Sequence, residues 1–378
     1  MEINRLLRLL VTAALMFSGV YLWKSGLPQI SHLLYPIIFI LVLLTGRLKI
    51  NLPIVFLFVF TLYCVFLNMF YWYQTKNHEF LISGVQICFT SLIYWFLYSL
   101  LVKDDKLPAN LISGVLLGLI LQWAVLWLGI GNYKFEPRYS GSFNDPNQMG
   151  YWVTVVCSIY WVYSILEENK TKRFWKYFVF MSFVVFTLMT MSRSVLITIP
   201  FFILFYTYHS KLFLSVYILF ALPMLMLALV GFSLINFDGN LNLENLSKFT
   251  DRVSVVDVYS ELQLRGYTRP LEYPEYILWG AGHGEHERFN GTAGDGHAGT
   301  EVHSSFVGLL FYYGIVGTSL FIVFIYLSIK HVPTSALIIL LITFVFGLTT
   351  YSLRTPIFWV LLAFITSYSY RKGALGEQ

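Results

Sequence analysis

Charge is what this chain has least of. Asp, Glu, Lys and Arg make up 12% of its 378 residues, where a soluble domain carries about 25%. A surface that poor in charge excludes an ordinary water-soluble globular protein, and a mean hydropathy of +0.67 points the same way. Cysteine is scarce as well. Cys64, Cys88 and Cys157 each fall inside an apolar run, so they read as small buried hydrophobes and not as a disulfide framework. The sequence has no nucleotide-binding loop, no dinucleotide fingerprint and no internal repeat. Its formal charge of +5 is not gathered into one patch, which argues against nucleic acid as a partner. No small-residue cleavage signal follows the first apolar run at 21–28, so that run is read as a retained span and not a signal peptide.

What is abundant is apolar and aromatic. Hydrophobic residues are 57% of the chain, with 34 Phe, 26 Tyr and 10 Trp, the make-up of spans with aromatic belts at their ends. Apolar runs predict twelve spans, at 6–23, 29–45, 53–71, 80–102, 110–130, 147–166, 176–191, 194–208, 212–231, 303–327, 335–351 and 356–370. The expected fold is an all-α polytopic membrane protein of about 12 transmembrane helices. It forms a single membrane domain over 1–378, with one large extracytoplasmic loop at 232–302 between the ninth and tenth spans.

The basic residues fix a sidedness. Arg5 and Arg8, Arg47 and Lys49, Lys103 and Lys106, the cluster at 170–176, Lys211, Lys330, and Arg371 with Lys372 occupy alternate short connections. By the positive-inside rule both termini are cytoplasmic. The 232–302 loop then faces outward, as do 131–146 and the turns at 191–194 and 352–355. Within the loop, Asn236–Leu246 could begin a surface helix, and 250–264 spaces Val253, Val256, Tyr259 and Leu262 at helical intervals behind Thr250. From Gly280 to Gly299 the glycine density predicts a shaped loop instead.

The unusual polar residues gather on that outer side. Arg193, in TMSRSVL, interrupts a long apolar run; it either snorkels from a tight turn or binds an anion, since a guanidinium matches phosphate oxygens. In RYSGSFNDPNQMGYW, Pro146 starts a span and Asp145 or Asn144 caps it. Capping accounts for Asn147 in part; Arg138 is left to close over a ligand. Arg265 and Arg269 flank Tyr267 in LRGYTRP; they meet either a bound anion or the loop's carboxylates, such as Glu261, Glu272 and Glu275. Arg354 in SLRTPIF is a further cation at the outer face. His283, His286, Asp295, His297, Glu301 and His303 include good metal ligands, yet their spacings match no closed site, and no metal is expected. His303 opens a span beside Ser304 and Ser305. It is either a bland interface histidine or a base able to take a proton from a hydroxyl.

These motifs resemble one superfamily in order and sidedness. GSFNDPNQMG at 141–150, the Ser192–Arg193 pair, WGAGHG at 279–284 and HSSFVGLLFYYGIVG at 303–317 are similar to segments of the O-antigen polymerase and O-antigen ligase superfamily of bacterial membrane glycosyltransferases. The resemblance runs from about residue 130 to 355 by motif and over the rest by span pattern. It implies a fold of the GT-C class, an undecaprenyl-diphosphate-linked glycan as donor, and a site without metal or other cofactor. It assigns His303 to catalysis, with Ser304 where the family more often has Asn. Arg193 matches the family's Ser-Arg arginine, and either Arg265 or Arg269 its loop arginine. Arg138, Arg354, Asn147 and Tyr267 are the remaining candidates for holding the diphosphate or substrate.

The implied partners are a lipid-linked glycan acceptor, membrane lipids, and flippase and chain-length regulator proteins; the implied location is the bacterial inner membrane. Departure from the ligase-like motif around His303 favours a polymerase of repeat units. The alternative is a ligase delivering glycan to lipid A core. A transporter would need paired repeats and charges at mid-span, and a scaffold would not need Arg193 and His303 together.

Overall fold

Local chemistry sets where the helices begin and end. The Asn51 side chain accepts the Ile54 N–H at 3.1 Å and Pro53 pre-sets the first turn, so helix α3 starts at Leu52. It stops where Lys76 turns left-handed at φ 58° and donates its N–H to the Trp72 carbonyl at 2.7 Å. Pro146 opens helix α6 (Pro146–Leu166), and it is the Asp145 carboxylate that accepts the free Asn147 N–H, at 2.7 Å. The Ser304 hydroxyl accepts from Val307 N–H at the start of helix α8 (Ser305–Ile329).

The computed structural model describes residues 2–23, 28–132, 138–167, 171–192, 198–202, 205, 262–263, 265–289 and 301–376. Its long helices are α1 (Glu2–Met16), α2 (Ile30–Leu44), α3 (Leu52–Thr75), α4 (Glu79–Lys103), α5 (Leu107–Trp127), α6 (Pro146–Leu166), α7 (Arg173–Thr190), α8 (Ser305–Ile329), α9 (Thr334–Gly347) and α10 (Pro356–Gly376). Among the described residues the regular structure is helical, with an isolated antiparallel bridge between Asn132 and Gly141. The chain divides into two compact units.

The first unit comprises Met1–Leu41, Lys106–Val255 and Pro333–Phe346. In it α1 packs on α5, α5 on α6, and α6 on α7. The α1–α5 crossing is close because position 114 is glycine: a Cβ there would sit 2.6 Å from the Thr12 carbonyl oxygen. Thr12 adds a hydroxyl bond across the crossing to the Asn110 carbonyl at 3.1 Å. Helix α6 is buried along almost its whole length, from Met149 to Tyr163.

The second unit comprises Val42–Asp105, Val256–Val332 and Gly347–Gln378. Here α4 packs against α3 and α10, and α8 against the same two helices. Hydroxyls join them where no water competes: Thr61 with Ser91 at 2.7 Å, and Tyr94 donating to Thr366 at 3.0 Å. Around Tyr94 the rings of Phe324, Phe321 and Trp359 fill the interior.

The expectation of about 12 transmembrane helices is corrected. Among the described residues five helices, α3, α4, α5, α6 and α8, are long and apolar enough to cross a membrane. A crossing needs roughly 20 apolar residues to span about 30 Å. Helices α2 and α9 are apolar but have 15 and 14 residues; at about 1.5 Å per residue they reach little more than 20 Å. Helix α1 is equally short and carries Arg5 and Arg8, while α7 carries Arg173 and Lys176. Among the described residues the apolar runs mark where helices form and overstate how many of these are long and apolar enough to cross. The run at 212–231, most of that at 194–208, and the helices expected at Asn236–Leu246 and over most of 250–264 lie outside the described residues. The protein is all-α with several long apolar helices, consistent with a multi-pass membrane protein.

Candidate active site

The site lies in the second unit and begins with a break in α8. Gly314 leaves the helical region at φ 64°, ψ −172°, which interrupts the backbone ladder. The freed groups are taken up by the segment at 277–282. Ala281 N–H donates to the Phe311 carbonyl at 2.9 Å and Gly282 N–H to Tyr312 at 2.8 Å, while Ile315 N–H donates to Ile277 at 2.8 Å. Irregular backbone against an apolar helix is tolerated where each polar group finds such a partner. Glycine is required at 314 because a Cβ would stand 2.4 Å from the Leu278 carbonyl oxygen. The WGAGHG stretch is thus stitched along the broken helix.

That stitching delivers His283 to a buried position. Its N–H donates to the Asn68 side chain at 2.8 Å, and its Nε2 lies 2.9 Å from Glu301 Oε1. The other oxygen of Glu301 pairs with the Arg354 guanidinium at 2.7 Å. Glu301 is 16% exposed and Arg354 is 44% exposed, so the pair has one foot in the interior and one at the surface. Burial alone would raise the Glu301 carboxyl; the His283 hydrogen bond and the Arg354 charge outweigh it and lower it to about 2.

Around this pair lie the loop residues singled out from sequence. His303 donates its backbone N–H to the Arg265 carbonyl at 3.0 Å. The Tyr267 hydroxyl reaches the Leu348 carbonyl at 2.8 Å and the His303 carbonyl at 3.2 Å. Arg269 is 5% exposed, with its guanidinium over the Phe289 ring at 5.4 Å. His303 is exposed overall, yet its imidazole is partly shut off from water. That loss, together with the charges of Arg265, Arg354 and Arg269, holds it below the ordinary histidine range against the opposing pull of Glu301. His286 is lowered to about 3, by burial and by His283, against Glu301.

His283, His286 and Glu301 present ligand atoms within 4.8 Å of one another. As a cation site the set is compromised, because Glu301 is engaged on both oxygens and the guanidiniums of Arg354 and Arg269 add positive charge. Guanidiniums gathered this closely suit an anion better.

Arg138 and Asn147 meet in the first unit. Arg138 is buried, donates from Nε to the Thr190 carbonyl at 3.0 Å and from its terminal nitrogen to Asn147 Oδ1 at 2.8 Å. It thereby closes the C-terminal end of α7 onto the start of α6. Arg193, Asp295 and His297 lie outside the described residues.

Sequence reasoning passed over Arg288. Its guanidinium lies over the rings of Phe289, Tyr71 and Phe80 at 4.5, 4.8 and 4.9 Å and donates to the Ala281 carbonyl. An arginine surrounded by aromatics is a fixed cation, and only the fold brings Tyr71 and Phe80 to it. Glu301 had been noted only as one carboxylate among several. No protein-family model matches the chain, and no curated protein matches it.

Proposed function

We propose that this chain is a membrane glycosyltransferase that polymerises oligosaccharide repeat units carried on undecaprenyl diphosphate, building O-antigen or exopolysaccharide. The observation that carries the reading is the gathering of guanidiniums beside His303: Arg265, Arg354 and Arg269 all act on its imidazole, as does Glu301 with the opposite sign. Such a cluster suits a diphosphate leaving group whose negative charge grows as its bond to the sugar breaks. In the reaction, the acceptor hydroxyl oxygen attacks the anomeric carbon and the carbon–oxygen bond to the diphosphate breaks. The hydroxyl proton passes to His303, and the configuration at the anomeric carbon inverts. A histidine held below its ordinary range is unprotonated at neutral pH and ready for that role.

The charge distribution of the second unit supports an outward-facing site in a bacterial inner membrane with both termini cytoplasmic. Lys49 lies over the Tyr370 ring, Lys103 bonds the Gly46 carbonyl and Arg371 pairs with Asp105. These basic residues sit at the start of α3 and the ends of α4 and α10. Glu301 and His303 precede the start of α8, and Arg354 the start of α10. The positive-inside rule then puts the basic end in the cytoplasm. Partners in this reading are the lipid-linked donor and acceptor, with flippase and chain-length regulator proteins acting before and beside it.

The test is a glycan ladder from cells lacking the native gene, complemented with wild type or His303→Ala. A ladder restored by wild type, with single-repeat material alone from the variant, supports polymerisation. Long lipid-linked chains that accumulate without reaching lipid A core would identify a ligase instead. A full ladder from the variant would end the assignment of His303.

A further inference from the structure

We infer that Glu301 is a positioning residue for Arg354, and that a chain of contacts running from Asn68 through His283 and Glu301 aims the Arg354 guanidinium at the anionic part of the substrate. This rests on the anion-site reading above and adds to it the device that orients its most exposed cation. The geometry is directional. Asn68 on α3 holds the backbone of His283 at 2.8 Å, His283 holds one Glu301 oxygen at 2.9 Å, and the other oxygen holds Arg354 at 2.7 Å. Exposure rises along the same path, from 5% for the His283 side chain to 16% for Glu301 and 44% for Arg354. A guanidinium has five donors in a fixed fork, so the contact from one terminal nitrogen to Glu301 restrains its position and leaves the other donors for a ligand. A long arginine side chain free at the surface would lose substantial rotamer freedom on gripping a phosphate; one already held loses less.

Glu301 is negative and stands next to an anion site, so its charge alone would repel the ligand. The two possible roles therefore differ in sign. If it acts by charge, neutralising it strengthens anion binding. If it acts by aiming Arg354, neutralising it weakens binding although a repulsive charge has gone. The dependence must also vanish when Arg354 is absent, because contacting residues that work as a unit are not additive.

The experiment is calorimetric titration of inorganic pyrophosphate into the full-length protein in zwitterionic-lipid nanodiscs, for wild type, Glu301→Gln, Arg354→Ala and the double variant. Wild type is expected to bind; Glu301→Gln to bind roughly tenfold more weakly, within the range for coupled neighbours; and the double variant to match Arg354→Ala. Unchanged or tighter binding by Glu301→Gln overturns the inference, as does an equal loss in the Arg354→Ala background. In either case binding by wild type leaves the anion-site reading standing. If wild type itself does not bind pyrophosphate, that reading fails and takes the positioning role with it. Should Glu301→Gln not fold, His283→Gln decides: it leaves both members of the ion pair in place and removes the imidazole that steadies Glu301. Weaker binding is expected, and unchanged binding overturns the chain of contacts.

Discussion

His283 and Glu301 are 18 residues apart in sequence and 2.9 Å apart in space. The contact exists because 277–282 bonds along the break in α8 while Glu301 precedes the first turn of the same helix. A helix interruption, normally a weakness, here becomes the seat of the site. The consequences reach stability and pH dependence as well as substrate binding.

Glu301 titrates at about 2 in the folded protein against an ordinary 4.5. The unfolded chain therefore binds the proton first as pH falls, and the carboxylate's stabilisation is fully present above about pH 4.5 and lost on approach to pH 2. The contribution is on the order of 3 kcal/mol. Thermal unfolding followed from pH 6 down to 3 should show a declining Tm in wild type and a flatter profile in Glu301→Gln. Parallel profiles would contradict the ion pair.

Gly314→Ala should destabilise more than Gly46→Ala. Both positions have positive φ, but a Cβ at 46 meets nothing within 4 Å whereas one at 314 meets backbone at 2.4 Å. The left-handed backbone alone costs about 1–3 kcal/mol at either position. The clash adds to that only at 314, and chemical denaturation of the two variants measures the difference.

Arg288→Lys keeps the charge and loses the planar group that lies against Phe289, Tyr71 and Phe80. A loss of about 1–2 kcal/mol is expected. It should appear as faster hydrogen exchange at 277–289, with α5 and α6 of the first unit unaffected.

In the proposed reaction His303 must be unprotonated to take the acceptor's proton. Because its imidazole is held below 6.5, the acid limb of kcat/KM should fall below pH 6.5. Arg265→Gln, which removes one of the charges lowering it, should move that limb towards higher pH. A limb that stays in place in this variant would separate His303 from the observed titration.

Much of this was legible before the fold. The cap at Asp145 or Asn144, the apolar run at 53–71 and the polar character of 265–269 are local matters of residue type and spacing. Which helices cross was not, because the runs at 29–45 and 335–351 lie close to the shortest length that spans a bilayer, and the helices that form there have 15 and 14 residues. Nor was the pairing within the site. His283, Glu301 and Arg354 come from three separate stretches, and nothing in their spacing distinguishes Glu301 from Glu272 or Glu275. Glu301 is picked out by burial and two partners, while Glu272 and Glu275 stay exposed. The glycines of 279–284 were read as a shaped loop; what shapes them is the backbone of α8, which sequence alone does not bring near.

The most direct measurement is turnover by the purified protein in lipid vesicles supplied with a synthetic polyprenyl-diphosphate-linked oligosaccharide repeat as both donor and acceptor. Release of polyprenyl diphosphate would be followed alongside the length of the remaining glycan. The account predicts release coupled to glycan extension, falling by about 100-fold or more in His303→Ala, as removal of a general base does. No release by the wild type, or equal release by the variant, would contradict it.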